Sequence, residues 1–205
     1  MQIIEPYYEI MSEIDGMSIL KHIEKCGRTC YKSEDKITDD SCLRFVKMII
    51  GRGHESVLEH FSFTIRFVCD RGVSHELVRH RLASYSQEST RYCNYNKKGI
   101  TFIKPLGKLS EDLPYDVWAS IMEKAEKQYN VLIEQGCNLQ DARAILPNSL
   151  KTEVVMTANL REWRTVLKQR TATAAHPEMR RLMIPLLKEL QQRIPVVFDD
   201  IEVTE

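Results

Sequence analysis

The sequence predicts an α+β protein: a single domain over residues 1–205, with several long helices packed on a small, largely antiparallel or mixed sheet. Three observations predict it. Apolar residues recur at helical spacing through most of the chain, one segment alternates apolar and polar residues, and the few strand candidates do not alternate regularly with helices. A chain of 205 residues can bury one substantial core, and no repeat, low-complexity tract or Pro/Gly/Ser-rich linker divides it.

In chain order, Ile19, Leu20, Ile23 and Cys26 share one face of a first helix, with Gly27 expected as the residue just past its end. Leu43, Val46, Ile49 and Ile50 repeat that spacing in a second helix. Asp39 and Asp40 stand at its positive N-terminal end and Gly51 at its exit. Phe61 to Phe67 alternates apolar and polar residues, the period of a half-buried strand, and is the clearest strand of the chain. Ser74 can cap a short helix that carries Arg79, His80 and Arg81 at its end. Ile100 to Ile103 is a further strand candidate, inside a polar stretch, Asn94 to Asp112, that reads as a connection within the domain. Trp118, Ile121, Met122, Ala125, Tyr129, Leu132 and Ile133 form the longest apolar stripe, expected to be the main buried helix and to end at Gly136.

Thr152 to Thr157 and Pro195 to Ile201 are weaker strand candidates. Between them, Asn159 reads as an N-cap with Glu162 three residues on, as in a capping box. Leu160, Trp163 and Leu167 form the buried stripe of that helix, while Arg161 and Thr165 share another face. A last helix starts at Pro177, a favoured first-turn residue, and turns Met179, Leu182, Leu186 and Leu190 inward. Pro185 cannot donate to its ladder, so a kink or a break is expected near Ile184.

Lysine plus arginine total 29 and aspartate plus glutamate total 29, so no global field attracts nucleic acid or membrane, and any anion site must be local. Six cysteines show no Cys-x-x-Cys pair, and Met1 to Ile10 lacks a basic region followed by an apolar core. Both features suit reduced thiols in a cytoplasmic protein. No stretch approaches the roughly 20 apolar residues of a bilayer-spanning helix, which argues against membrane insertion.

Chemistry concentrates in three passages. In Ser74 to Tyr92, Arg79, His80 and Arg81 precede a hydroxyl-rich turn. Guanidinium forks, hydroxyls and exposed backbone N–H groups together make an anion cradle, against the alternative of a solvated charged face. In Asn159 to Arg170, an ordinary amphipathic helix accounts for the apolar stripe but leaves Arg161, Arg164 and Arg170 without a role. In Gly53 to His60, the two histidines stand six residues apart; at about 100° per residue they point to different helical faces, so a shared metal is not expected.

Arg79-His80-Arg81 followed after seven residues by Ser89 resembles the signature of flavin-dependent thymidylate synthases. The resemblance extends from His54, Ser56, Glu59 and His60 through Ser89-Thr90-Arg91-Tyr92 and Ala142-Arg143 to Asn159-Leu160-Arg161 and Arg170, covering about His54 to His176. It implies a homotetramer with active sites at subunit junctions that reductively methylates dUMP to dTMP. The implied one-carbon donor is 5,10-methylenetetrahydrofolate, and NADPH-reduced FAD is the hydride source. On the same resemblance His54, Ser56, Arg79, His80, Arg81, Gln87, Asn159, Leu160, Arg161 and Thr165 are FAD contacts. The dUMP site comprises Glu76, Leu77, Val78, Arg79, Gln87, Glu88, Ser89, Thr90, Arg91, Arg143 and Arg170, with Ser89 to Arg91 on the phosphate. Arg170 faces the uracil as the catalytic residue, a cation that keeps its proton while negative charge develops on the ring.

Two positions depart from the pattern: Glu76 stands where many relatives carry glutamine, and Thr165 where some carry asparagine. An anionic Glu76 beside a phosphate-bearing substrate must turn away or be paired. Ser89 could be imagined as a nucleophile, but no Gly-x-Ser-x-Gly elbow surrounds it, and phosphate binding is the simpler role. No cysteine falls on a motif position, so no thiolate attack on dUMP is expected. A nucleic-acid-binding module using Arg79, Arg81, Arg91 and Tyr92 is the main rival, with zero net charge against it. A flavoprotein that only oxidises NADPH is the second.

Overall fold

A computed structural model describes residues 1–96 and 99–203, so positions 97 and 98 of the polar stretch Asn94 to Asp112 lie outside the described residues. In chain order the elements are β1 (Gln2–Ile4), β2 (Tyr7–Ile10), α1 (Gly16–Thr29), α2 (Ser41–Gly51), β3 (Ser62–Asp70), α3 (Arg71–Leu77) and β4 (Ala83–Gln87). They continue with β5 (Thr101–Ile103), α4 (Asp112–Glu134), α5 (Leu139–Ala142), β6 (Lys151–Asn159), α6 (Leu160–Thr171) and α7 (Pro177–Arg193). β1 pairs with β5 in parallel, Ile3 opposite Phe102, and the remaining strands form a four-stranded sheet in the order β2-β3-β6-β4. This is the expected α+β class with small sheets.

The chain divides into two compact units. The first comprises Met1–Tyr8, Arg66–Arg79 and Tyr85–Val155. Its core gathers Ile100 and Phe102 with Trp118, Met122 and Tyr129 of α4 and with Leu150. Trp118 Nε1 donates to Ser149 Oγ at 3.1 Å, so the indole is buried without leaving its N–H unpaired. The second unit comprises Glu9–Ile65, His80–Ser84 and Met156–Glu205. Here Trp163 of α6 stacks on Phe63 of β3 with ring centroids 5.1 Å apart, and its Nε1 donates to the Phe63 carbonyl at 3.2 Å. Met179, Leu182, Leu186 and Leu190 of α7 are buried, as their spacing predicts. α7 begins at Pro177 and runs through Pro185 without a break.

Several local expectations are corrected. Gly27 does not end α1 but lies inside it, and a Cβ there would meet the Phe45 ring at 2.6 Å, so close approach of α2 requires the glycine. Gly51 is the last residue of α2, as expected at its exit, and the left-handed residue that follows is Gly53, at φ 71°. Ser74 does not cap α3: Asp70 does, accepting from Val73 N at 2.7 Å, while Ser74 Oγ donates to the Arg71 carbonyl. α3 ends at Leu77, so Arg79, His80 and Arg81 lie beyond the helix. α4 ends before Gly136 as expected, yet Val117 and Ile121 stay 54% and 52% exposed, so within this chain the helix is covered on one side and is not fully buried.

Pro195 to Ile201 is a run of turns, not a strand. Pro195 supplies no N–H, Val196 takes φ 60°, and the carbonyls of Phe198 and Ile201 accept from Gln191 Nε2, so the backbone cannot ladder. Val197, Phe198 and Ile201 are apolar because they are buried.

Candidate functional site

In the second unit, α6 organises the site. Asn159 Oδ1 accepts from Glu162 N at 2.9 Å, the N-cap half of the expected box. The cap fixes the start of the helix, so its period sets where each polar side chain emerges: Leu160, Trp163, Val166 and Leu167 turn inward. The 3-10 segment Glu55–His60 lies along α6, held by two ion pairs one helical turn apart: Arg161 to Glu59 at 2.6 Å and Arg164 to Glu55 at 3.1 Å. This sets the segment that carries Ser56, with His54 just before it, against the helix that carries Arg161 and Thr165. His54, Ser56, Arg81 and Arg161 are exposed. Leu160 contributes no accessible side chain, being fully buried with its N–H given to the Phe61 carbonyl.

Within the same unit His80 is buried, 6% exposed, between Glu162 and Arg170. Arg170 Nε donates to His80 Nε2 at 3.0 Å, and His80 Nδ1 lies 3.6 Å from Glu162 Oε1. Burial and then the Arg170 charge hold His80 down to about 4, so the middle member of the Arg-His-Arg motif is neutral at neutral pH. The run is not a cationic triplet; it is two arginines flanking a neutral ring. Burial raises the Glu162 carboxyl above its ordinary value.

Arg164, which a reading of α6 as a water-facing amphipathic helix leaves in solvent, is 1% exposed. Its guanidinium donates to Glu55, to Asp200 at 2.6 and 2.8 Å, and to the Val197 carbonyl. Burial works against its charge, but the Asp200 and Glu55 carboxylates outweigh it and raise its pKa.

The first unit carries the other group of predicted residues. The turn after β4 places Ser89 and Thr90 together with Arg91: Arg91 N donates to Ser89 Oγ at 3.3 Å, and Arg143 Nη1 reaches Thr90 Oγ1 at 3.3 Å. Ser89, Thr90, Arg91 and Arg143 are therefore neighbours, with both guanidinium groups exposed. Gln87 Nε2 donates to Ser74 Oγ and Thr152 Oγ1, which ties β4 to α3 and β6. Glu88 pairs with Lys151 at 2.8 Å and accepts from Tyr95 OH at 2.8 Å. Gln87 and Glu88 line a cavity of about 890 Å³ together with Tyr95, Lys151 and Glu153. Of the remaining predicted residues of this unit, Val78 and Arg79 are exposed and Glu76 is half-buried, whereas Leu77 is fully buried and presents no side chain.

The sequence model of the thymidylate synthase complementing protein family matches residues 14–196. The chain belongs to that family. It is 36% identical over 165 residues to the flavin-dependent thymidylate synthase of Pyrococcus abyssi, covering 79% of this chain and 68% of the relative. The corresponding enzyme of Geobacter sulfurreducens is 34% identical over 181 residues, 85% of this chain and 78% of its own. That of Mycobacterium tuberculosis is 35% identical over 211 residues, 94% and 83% of the two chains.

Beside the residues that the family motif singles out, the fold supplies others that the sequence reading missed. Lys151 and Glu153 had a legible signal, since β6 alternates half-buried Lys151, Glu153 and Val155 with buried Thr152, Val154 and Met156. Asp200 had none, because its role depends on a non-repetitive turn at the end of the chain. Lone histidines behave as ordinary polar residues: His22 Nε2 lies 3.2 Å from the His60 carbonyl, and His176 Nδ1 accepts from Glu178 N at the start of α7. Among the described residues no helix is long and apolar enough to cross a membrane.

Proposed function

We propose that this chain catalyses the reductive methylation of dUMP to dTMP, as a flavin-dependent thymidylate synthase that uses no cysteine nucleophile. The observation that carries the reading is the Arg79-His80-Arg81 motif, whose neutral histidine binds Arg170 while both flanking arginines stay exposed. Methylenetetrahydrofolate is the one-carbon donor. FAD, reduced by NADPH, supplies the hydride when bound.

The residues present suit that cofactor. Exposed Arg81 and Arg161, with the hydroxyl of Ser56, offer the forked and single donors that a pyrophosphate takes. In this reading His54, Ser56, Arg79, His80, Arg81, Gln87, Asn159, Leu160, Arg161 and Thr165 contact FAD. Ser89, Thr90, Arg91 and Arg143 grip the nucleotide phosphate, and Glu76 to Arg79, Gln87 and Glu88 complete the dUMP contacts. Arg170 stabilises the negative charge that develops on the uracil, a role suited to a guanidinium that does not lose its proton. The full chain acts as one synthase domain in a cytoplasmic homotetramer, with active sites at subunit junctions and neither nucleic acid nor membrane as a partner.

The test is release of tritium from C5-labelled dUMP by purified protein with FAD, NADPH and methylenetetrahydrofolate. Release with stoichiometric dTMP is the expected result. NADPH oxidation without release would instead identify a flavoprotein that lacks synthase activity, and failure to bind flavin at all would favour a nucleic-acid-binding module.

A further inference from the structure

The contact between Arg170 and His80 fixes where the imidazole proton must be. A guanidinium nitrogen can donate but not accept, so His80 Nε2, 3.0 Å from Arg170 Nε, is the bare nitrogen of the ring. A neutral ring then carries its proton on Nδ1, the atom 3.6 Å from Glu162 Oε1. Glu162 is itself buried, 8% exposed at its side chain, and among the described residues it forms no ion pair with lysine or arginine. Its N-capping contact uses its backbone N–H, which leaves the carboxylate without a structural task in the cap.

We propose that Glu162 and His80 are positioning residues for Arg170. The Glu162 carboxylate selects the Nδ1–H tautomer of His80. That tautomer offers its single lone pair to Arg170 Nε, and the guanidinium is held by that edge. The opposite tautomer would set Nε2–H against Arg170 Nε–H and release the arginine. Neutrality of His80 matters for the same reason, since a doubly protonated ring has no lone pair to give. The inference rests on the reading of Arg170 as the group that faces the uracil, and it extends that reading to a glutamate outside the motif.

The experiment uses the FAD-loaded enzyme with ¹⁵N-labelled histidine, the His80 signals being assigned by their loss in His80→Gln. The expected result is an Nδ1-protonated ring with bare Nε2 in the wild type and in Glu162→Gln, whose amide oxygen keeps a partial negative charge facing Nδ1, and a mixture of tautomers in Glu162→Leu. In parallel, kcat should fall about 10- to 100-fold in Glu162→Leu and stay near wild type in Glu162→Gln, with KM for dUMP and flavin content little changed in both. A wild-type His80 protonated on Nε2 would overturn the proposal whether or not any variant folds. Wild-type turnover in Glu162→Leu would overturn it too. Arg170→Ala in the same assay separates the two claims: full activity there removes the reading of Arg170 and the proposal with it, whereas an inactive Arg170→Ala beside a fully active Glu162→Leu removes the proposal alone.

Discussion

Arg164→Ala should be among the most destabilising single changes in the second unit. The side chain is 1% exposed and joins three segments distant in sequence: α6, the 3-10 segment at Glu55, and the turn at Val197 to Asp200. Removing one partner of a buried pair costs roughly 3–5 kcal/mol, because the remaining charge is left uncompensated. Here Asp200 is 46% exposed and regains water, while Glu55, at 24%, and the Val197 carbonyl do not, which favours the lower half of that range, about 3–4 kcal/mol. For a chain of this size each kcal/mol lowers Tm by roughly 2–4 °C, so a fall of about 6–16 °C is expected. Urea titration at fixed protein concentration measures the loss directly, the concentration being held because assembly shifts apparent stability. Glu55→Leu combined with Arg164→Met should recover about half of it, since apolar packing can replace a buried pair. A change below about 1 kcal/mol in Arg164→Ala would refute the claim that this guanidinium ties the segments together.

Three further outcomes are expected. His80 is held at about 4 against an ordinary 6.5, so above pH 6.5 folded and unfolded chains are both neutral there, and as pH falls the unfolded chain takes up the proton first. Stability should therefore drop by about 1.4 kcal/mol per pH unit from pH 6.5 toward 4, about 3 kcal/mol in all, and urea midpoints across that window should show the slope in wild type and lose it in His80→Gln. Gly27→Ala should destabilise by about 1–3 kcal/mol in thermal melts, because a Cβ 2.6 Å from the Phe45 ring outweighs the gain of about 1 kcal/mol in helix propensity. Arg170→Ala should retain FAD, read by its visible absorbance, and lose dTMP formation by a factor on the order of 10² to 10³, as when a preorganised charge-stabilising donor is removed.

Most of the fold was legible because it rests on local periodicity. The stripes at Ile19 to Ile23 and Met179 to Leu190 and the alternation at Phe61 to Phe67 become α1, α7 and β3. Errors arose where a tertiary contact reassigns a residue whose local signal points elsewhere. Gly27 looks like a helix terminator, but it is set by the Phe45 ring; Ser74 looks like a cap, but Asp70 stands one turn earlier and takes the role. Apolar Val197 and Phe198 look like strand residues, but they are buried within turns. At the site, the motif singles out arginines but says nothing of what surrounds them. The neutrality of His80 depends on its burial and on Arg170, and the burial of Arg164 on Glu55 and Asp200, whose spacing in the sequence carries no signal of contact.

The central claim is that guanidinium and hydroxyl groups from separate stretches of chain hold FAD and dUMP. Its most direct test is a structure of the assembled protein with both ligands bound. The dUMP phosphate is expected on Ser89, Thr90, Arg91 and Arg143, the flavin against His80, Arg81 and Arg161, and Arg170 directed at the uracil. Ligands seated away from these side chains, with Arg170 turned toward solvent, would contradict it.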